Sequence, residues 1–333
     1  MTRTLVFGIG GAAGDGIASV GDLLARVASR SGLHIFVYNC YQSVIRGGHV
    51  FLSCRVGEEK VTNHGDNLHI LMALNQDTLN QHAQDVVPGG LILFNGDKFS
   101  IDGLTLQEDV TVCALPVKEL MAPHGRLPIL QNTLLLGAAL KGAGLPLSPL
   151  MDLIKRQFAS KGEKVITMNT GIAQAGWDAG PDALHPPWNG DSNARAVATG
   201  NQLFAMGAYA AGCRFYCAYP MTPATSILHW FAPRAEELGM VVKQMEDEIA
   251  VIAATIGASH AGARAMCATS GGGFALMTEA IGMAAITETP LVVINVQRGG
   301  PSTGLPTKTE QADFNQVFGA SQGEFPRAIV APA

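Results

Sequence analysis

The chain has 333 residues, 47% hydrophobic and 15% charged, with a formal net charge of -5. That balance excludes a disordered polyelectrolyte and argues against a nucleic-acid partner, which needs a basic face. No apolar run reaches the roughly 18 residues that cross a bilayer. Met1–Phe7 runs straight into a strand without the layout of a secretory leader, so the expected location is the cytoplasm. The length suits about two domains.

The first strand is expected over Thr4–Gly8, followed by Gly8-Ile9-Gly10-Gly11-Ala12-Ala13-Gly14-Asp15-Gly16 and a helix carrying Ile17, Val20, Leu23, Leu24 and Val27 on one face. Gly8, Gly10 and Ala13 fit the G-x-G-x-x-A dinucleotide spacing. An NAD site also needs an acidic residue about 20 positions on, for the ribose. Between Asp22 and Glu58 there is no Asp or Glu, which weighs against a nicotinamide dehydrogenase. Strands follow at His34–Cys40, Val50–Val56, His69–Ala73, Gly90–Asn95 and Val110–Ala114. Arg46-Gly47-Gly48 lies at a strand junction, where Arg46 either binds an anionic group or ties up carbonyls in a tight turn. Helices are predicted over Pro116–Met121, Leu127–Ala143 and Pro146–Phe158, and from about Lys161 to Gly176.

Trp177–Asn193 has three prolines and no periodicity, and reads as a linker whose two tryptophans pack in part. The expected domains are therefore 1–176, a linker over 177–199, and 200–333. In the second domain helices are predicted over Gln202–Ala211, Ser226–Leu238, Ile249–His260 and Phe274–Glu288. The strands are Phe215–Ala218, Val241–Met245, Arg264–Thr269 and Pro290–Val296, the last one apolar enough to be buried on both faces. Repeated strand–loop–helix units indicate an α/β fold with a doubly wound parallel sheet. Ala328–Pro332 reads as the start of one more strand. A sheet ending on such a strand suggests that the second domain is incomplete at its C-terminus, or continues on another polypeptide.

Four segments fall after these strands: Tyr219-Pro220-Met221-Thr222-Pro223, Glu246-Asp247-Glu248, Ser270-Gly271-Gly272-Gly273 and Gln297-Arg298-Gly299-Gly300-Pro301. Open α/β sheets bind ligands at this carboxyl edge. Glu248 opens an apolar helix, where low dielectric would raise its pKa and strengthen a hydrogen bond from a ligand. The plainer alternative is that the three acids only favour a helix N-terminus. Thr222 before Pro223 also fits a helix N-cap. None of the six cysteines (Cys40, Cys54, Cys113, Cys213, Cys217, Cys267) forms a C-x-x-C pair, so buried thiols are expected, with no metal site in this chain.

Taken jointly, Tyr-Pro-Met-Thr-Pro, Glu-Asp-Glu, Thr-Ser-Gly-Gly-Gly-Phe and Gln-Arg-Gly-Gly-Pro-Ser-Thr-Gly-Leu-Pro-Thr-Lys-Thr-Glu-Gln closely resemble the α subunit of 2-oxoacid:ferredoxin oxidoreductases, the 2-oxoglutarate (KorA-type) group above all. Residues 1–176 resemble the family's γ domain, through Gly8-Ile9-Gly10-Gly11 and Ile45-Arg46-Gly47-Gly48. The resemblance implies a thiamine diphosphate pyrimidine-binding domain over 200–333. The diphosphate, Mg²⁺ and a [4Fe-4S] cluster would lie on a partner β subunit, with coenzyme A as acyl acceptor, ferredoxin as electron acceptor and an (αβ)2 assembly. It implies that Glu248 holds the cofactor's aminopyrimidine, and that Tyr219, Pro220 and Thr222 line the cofactor. Arg298 would meet the substrate's C1 carboxylate, and Thr222 that carboxylate or the thiazolium side; Lys308 either meets the distal carboxylate or is a solvated loop lysine. Pyruvate, branched-chain 2-oxoacids or indolepyruvate are alternative substrates. A nicotinamide dehydrogenase and a non-catalytic scaffold subunit are readings of a different class.

Overall fold

The computed structural model describes residues 4–40, 47–125, 127–184, 188–190, 194–301, 310 and 312–331. They divide into two units, Met1–Val197 and Ala198–Ala333. Among the described residues no helix is long and apolar enough to cross a membrane.

The first unit runs β1 Thr4–Ala13, α1 Ile17–Arg30, β2 His34–Cys40, β3 Gly47–Gly57, β4 Leu68–Ala73, α2 Gln76–His82, β5 Val86–Asn95 and β6 Thr111–Leu115. Four helices follow: α3 Val117–Met121, α4 Leu130–Gly142, α5 Ser148–Gln157 and α6 Glu163–Ala179. The six-stranded sheet has the order β2-β3-β1-β4-β5-β6. Its β2-β3-β1 half is antiparallel and its β1-β4-β5-β6 half parallel. Side chains alternate across a strand. Leu5, Phe7 and Ile9 of β1 accordingly face α1, α4 and α6, while Val6 joins Leu71, Leu79 and Phe94 in a second core on the other face.

β1 does not stop at Gly8 but runs to Ala13, so Gly8 and Gly10 lie inside the sheet. A Cβ on Gly8 would press on Phe51 and Leu68, and one on Gly10 on Thr78 and Phe51. These glycines serve close packing against β3, β4 and α2, and they do not form a phosphate-binding turn. The turn into α1 is made instead by Gly14 and Gly16, whose φ angles of 99° and 82° suit glycine. Asp15 braces it, accepting the Ala12 N–H at 2.8 Å and, through its backbone carbonyl, a bond from Asn132 Nδ2 at 2.6 Å. The nicotinamide alternative thus loses the geometry on which it depended. Arg46 lies outside the described residues.

Helix α6 is longer than expected. It passes Gly176 to end at Ala179, three residues into the span read as linker, because Trp177 packs on the core. Beyond it, Trp188 donates its indole N–H to the Ala143 carbonyl at 2.7 Å. α4 and α6 approach closely through Gly137, Gly176 and Gly180, where any Cβ would strike the opposite backbone.

The second unit runs α7 Gly200–Ala210, β7 Phe215–Ala218, α8 Thr225–Phe231, β8 Val241–Gln244, α9 Glu248–His260, β9 Ala265–Thr269, α10 Gly271–Ile286, β10 Val292–Asn295 and α11 Phe314–Gly319. Thr199 and Gln202 cap α7 reciprocally in a capping box. The strands are all parallel in the order β10-β9-β7-β8. From β7 the chain moves one way to β8, then crosses back over β7 to β9 and β10. With right-handed crossovers, that reversal puts α9 and α10 on the face opposite α8. The cores agree: Ala205, Ile227 and Phe231 pack on one side, and Val251, Ile252 and Met277 on the other. The sheet is therefore doubly wound.

Three elements of the second unit differ from what the sequence predicts. α8 ends at Phe231 rather than Leu238, because Pro233 cannot continue it, and a single tight turn, Ala232–Arg234, follows. β10 is an edge strand, so Val292 is 55% exposed and the strand is not buried on both faces. Residues 328–331 form no strand: Val330 is 84% exposed, and nothing in the sheet receives them. Pro332 lies outside the described residues.

Candidate active site

The reversal of winding between β7 and β9 creates a topological switch point, and ligands of open α/β sheets bind in the crevice outside it. The loops at that edge are those the sequence singled out. After β7, residues 219–224 leave the sheet. Met221 accepts the Thr225 N–H at 3.0 Å, and Asn201 Nδ2 donates to the Pro223 carbonyl at 2.9 Å and the Ser226 hydroxyl at 2.7 Å. The Thr222–Pro223 peptide is cis. Tyr219, Pro220 and Thr222 are all exposed. Thr222 is not the N-cap the sequence suggested, since α8 starts only at Thr225 and its cap position is Ala224.

After β8, the three acids separate by role. Glu246 and Asp247 are exposed, and Asp247 caps α9 by accepting the Ala250 N–H at 2.7 Å. Glu248, the first residue of α9, is instead 4% exposed. Its Oε1 is buried with no hydrogen-bond partner among the described residues. A buried oxygen left unpaired costs about 1–3 kcal/mol, and more when charged, so such an atom calls for an explanation. Burial pushes the Glu248 carboxyl above its ordinary value; a backbone N–H pulls it back, neighbouring Asp247 adds to the rise, and Arg298 opposes it. The helix-terminus reading thus fits Asp247, and Glu248 is the odd one out.

After β9, Ser270 precedes α10. Ser270 is fully buried, and its hydroxyl has no hydrogen-bond partner among the described residues. After β10, Arg298 is 9% exposed and donates from Nη1 to the Thr222 carbonyl at 2.9 Å. The structure therefore brings Glu248, Arg298 and the 219–224 loop to one edge. Lys308 lies outside the described residues.

Two members of this edge received no role from the sequence. Thr269, which stands in the Thr-Ser-Gly-Gly-Gly-Phe motif and is fully buried, aims its hydroxyl at Met221 Sδ at 3.8 Å. Asp313 reaches back to accept from Asn295 Nδ2 at 3.3 Å, against Gly271. Each matters through a contact across the fold, which a single sequence does not show. All six cysteines are free, and among the described residues no three His, Cys, Asp or Glu side chains gather to hold a metal ion.

The buried, unpaired carboxylate offers what an aminopyrimidine ring requires, an acceptor for a ring N–H in a dry site, so the residues present fit thiamine diphosphate. Comparisons point the same way. The family model described as pyruvate ferredoxin/flavodoxin oxidoreductase matches residues 6–179, and the one described as pyruvate flavodoxin/ferredoxin oxidoreductase, thiamine diP-bdg, matches residues 206–333. The 2-oxoacid:ferredoxin oxidoreductase 2 subunit alpha of Aeropyrum pernix is 32% identical over 383 aligned positions, covering 97% of this chain and 60% of that protein. The 2-oxoglutarate synthase subunit KorA of Archaeoglobus fulgidus is 53% identical over 134 residues, covering 40% of this chain and 39% of that subunit. Among solved structures, 2-oxoglutarate:ferredoxin oxidoreductase from Magnetococcus marinus, with 2-oxoglutarate, coenzyme A and succinyl-CoA bound, matches with a TM-score of 0.85 at 32% identity, covering 98% of this chain and 58% of that one. The chain thus spans about 60% of the length of its full-length relatives. With one family model over the first unit and the other over the second, the chain belongs to the 2-oxoacid:ferredoxin oxidoreductase family, as an α-type chain with a γ-like domain fused in front.

Proposed function

We propose that this chain is a subunit of a thiamine diphosphate-dependent 2-oxoacid:ferredoxin oxidoreductase that converts 2-oxoglutarate and coenzyme A to succinyl-CoA and CO2, passing two electrons to ferredoxin. The observation that carries the reading is Glu248: a carboxylate 4% exposed, with one oxygen unpartnered, at the switch point of the sheet. When bound, thiamine diphosphate supplies the carbon nucleophile that 2-oxoacid decarboxylation requires. Glu248 holds the aminopyrimidine side of that cofactor, accepting a ring N–H at Oε1. Desolvation makes this bond stronger than it would be in water.

Arg298 binds the substrate's C1 carboxylate, for which a guanidinium offers parallel donors. Its bond to the Thr222 carbonyl holds the guanidinium in place beforehand, so less freedom is lost when substrate arrives. Thr222 adds a hydroxyl beside that carboxylate, and Tyr219 and Pro220 form the wall next to the cofactor. Lys308 is assigned to the distal carboxylate of a dicarboxylic 2-oxoacid. The choice of 2-oxoglutarate is supported by the 53% identity with the Archaeoglobus subunit over 134 residues. The diphosphate, its Mg²⁺ and a [4Fe-4S] cluster are assigned to a β subunit in an (αβ)2 assembly in the cytoplasm.

The test is reconstitution. The chain co-purified with its β partner and given thiamine diphosphate, Mg²⁺, 2-oxoglutarate, coenzyme A and a viologen dye is expected to reduce the dye. The chain alone is expected to be inactive. Dye reduction by the isolated chain, or a preference for pyruvate across a 2-oxoacid panel, would overturn the partner and substrate assignments respectively.

A further inference from the structure

Helix α10 opens with three glycines, Gly271-Gly272-Gly273, a costly choice: glycine in a helix is about 1 kcal/mol worse than alanine. Gly273 is helical and absent from the glycines with positive φ, so its backbone conformation does not call for glycine. Space does. A Cβ on Gly273 would lie 2.6 Å from Glu248 Oε1 and 2.7 Å from Glu248 Cγ, and closer still to the Thr269 hydroxyl. The unpartnered oxygen of Glu248 thus occupies space that a side chain at 273 would take. Gly271 gives room to a different carboxylate: a Cβ there would lie 2.5 Å from both Asp313 oxygens.

The location adds an electrostatic reason. The first N–H groups of a helix have no intrahelical acceptor, and the aligned peptide dipoles place partial positive charge there. The Ser270 side chain makes no capping bond that would occupy them. The Glu248 carboxylate lies beside this first turn, where the partial positive charge offsets part of the cost of its burial.

We propose that Gly273 is a positioning residue for Glu248: its missing side chain seats the carboxylate against the α10 N-terminus and aims Oε1 at the cofactor ring. This rests on the reading of Glu248 given above. A methyl group at 273 pushes the carboxylate off the turn, and the acceptor no longer meets the ring.

The experiment is a double-mutant cycle in the complex with the β partner, read by thiamine diphosphate affinity from calorimetry and by the near-UV circular dichroism of the bound ring, which reports its tautomer. Gly273→Ala is expected to weaken cofactor binding at least tenfold and to remove the dichroic signature of the imino form. Glu248→Ala is expected to do the same, and in that background Gly273→Ala should add less than twofold. Gly257→Ala, in α9 where an added Cβ meets nothing within 4 Å, serves as the helix-glycine control and should leave both readouts unchanged. If Gly273→Ala folds poorly, Gly273→Ala with Thr269→Ala relieves the hydroxyl clash and should retain the binding defect. Loss of the defect in that pair would show strain against Thr269 and overturn the proposal. So would a full, additive effect of Gly273→Ala in the Glu248→Ala background. If Glu248→Ala alone left both readouts unchanged, the reading of Glu248 itself would fail, an outcome distinguishable from either of these.

Discussion

Arg298 and Thr222 are 76 residues apart in sequence and joined by one hydrogen bond of 2.9 Å, from the guanidinium Nη1 to the threonine carbonyl. The bond ties the loop after β10 to the loop after β7, across the strand β9 that lies between them in the sheet. A 9% exposed arginine held in this way is already placed for an anion. Arg298→Lys keeps the charge and loses the fork. Hydrogen bonds to charged groups contribute about 1.5–3 kcal/mol, which is roughly a 10- to 100-fold loss in kcat/KM for the 2-oxoacid. Steady-state kinetics of the complex across substrate concentrations check this, with the loss expected mainly in KM.

Glu248 also sets a stability trade. Its carboxyl is raised above the ordinary value of 4.5, chiefly by burial, so the folded chain holds the proton more tightly than the unfolded chain. Stability from this group is present at low pH and is lost as pH rises through the folded-state value. Ionising this carboxyl in the folded chain therefore costs more than ionising it in the unfolded chain, a cost that Glu248→Gln does not carry. The variant is expected to melt higher than wild type at pH 7, with the difference shrinking toward pH 4, while the cofactor-dependent reaction is lost. Equal melting temperatures at pH 7 would count against a raised carboxyl.

His69 works in the opposite direction. Burial depresses its pKa below the ordinary 6.5, the nearby Arg55 charge adds to this, and a backbone bond near Asn67 opposes it. Its Nδ1 accepts the Val6 N–H at 3.2 Å, which requires that nitrogen to be unprotonated. The stabilisation is present above the ordinary value and is lost as pH falls toward the folded-state value. Denaturant midpoints for the first unit should fall between pH 7 and pH 5, and His69→Gln should flatten that slope while offering Val6 an acceptor.

The close crossing of α4 and α6 leaves no room for a methyl group. Gly176 lies against the Leu134 backbone and Gly137 against the Ala173 carbonyl. Gly176→Ala should destabilise the first unit by about 1–3 kcal/mol, the usual cost of overpacking, despite alanine's better helix propensity. Denaturant unfolding followed by far-UV circular dichroism measures it, and a rise in midpoint would contradict the packing described.

Cys54 and Cys267 are fully buried, and burial pushes each thiol up to about 12. Thiolates are the reactive species, so neither should be alkylated in the native state. Half-buried Cys40 should react first, as read by mass spectrometry after brief iodoacetamide treatment.

What could be read in the sequence depended on how local the signal was. Phe215–Ala218 and Glu248–His260 stood out because a strand and a helix announce themselves by apolar pattern and flanking turn residues, and Glu248 stood out as an acid opening an apolar helix. Gly8 and Gly10 misled because glycine marks both a turn and a place where another side chain comes close, and only Phe51 and Thr78, distant in sequence, decide between them. The exposure of Val292 could not be seen because strand order is not encoded in the strand itself. Thr222 looked like a helix cap, yet α8 starts only at Thr225, and the bond that the Thr222 carbonyl accepts comes from Arg298, distant in sequence. The role of Gly273 was invisible for the same reason as that of Thr269: each acts on a residue from another strand–helix unit.

The order of strands β10-β9-β7-β8 also governs when the site can exist during synthesis. Glu248 leaves the ribosome before Thr269 and Gly273, the residues that enclose it. The carboxylate is therefore enclosed only by the joining of separate strand–helix units, and its burial is a property of the assembled second unit and not of α9 alone.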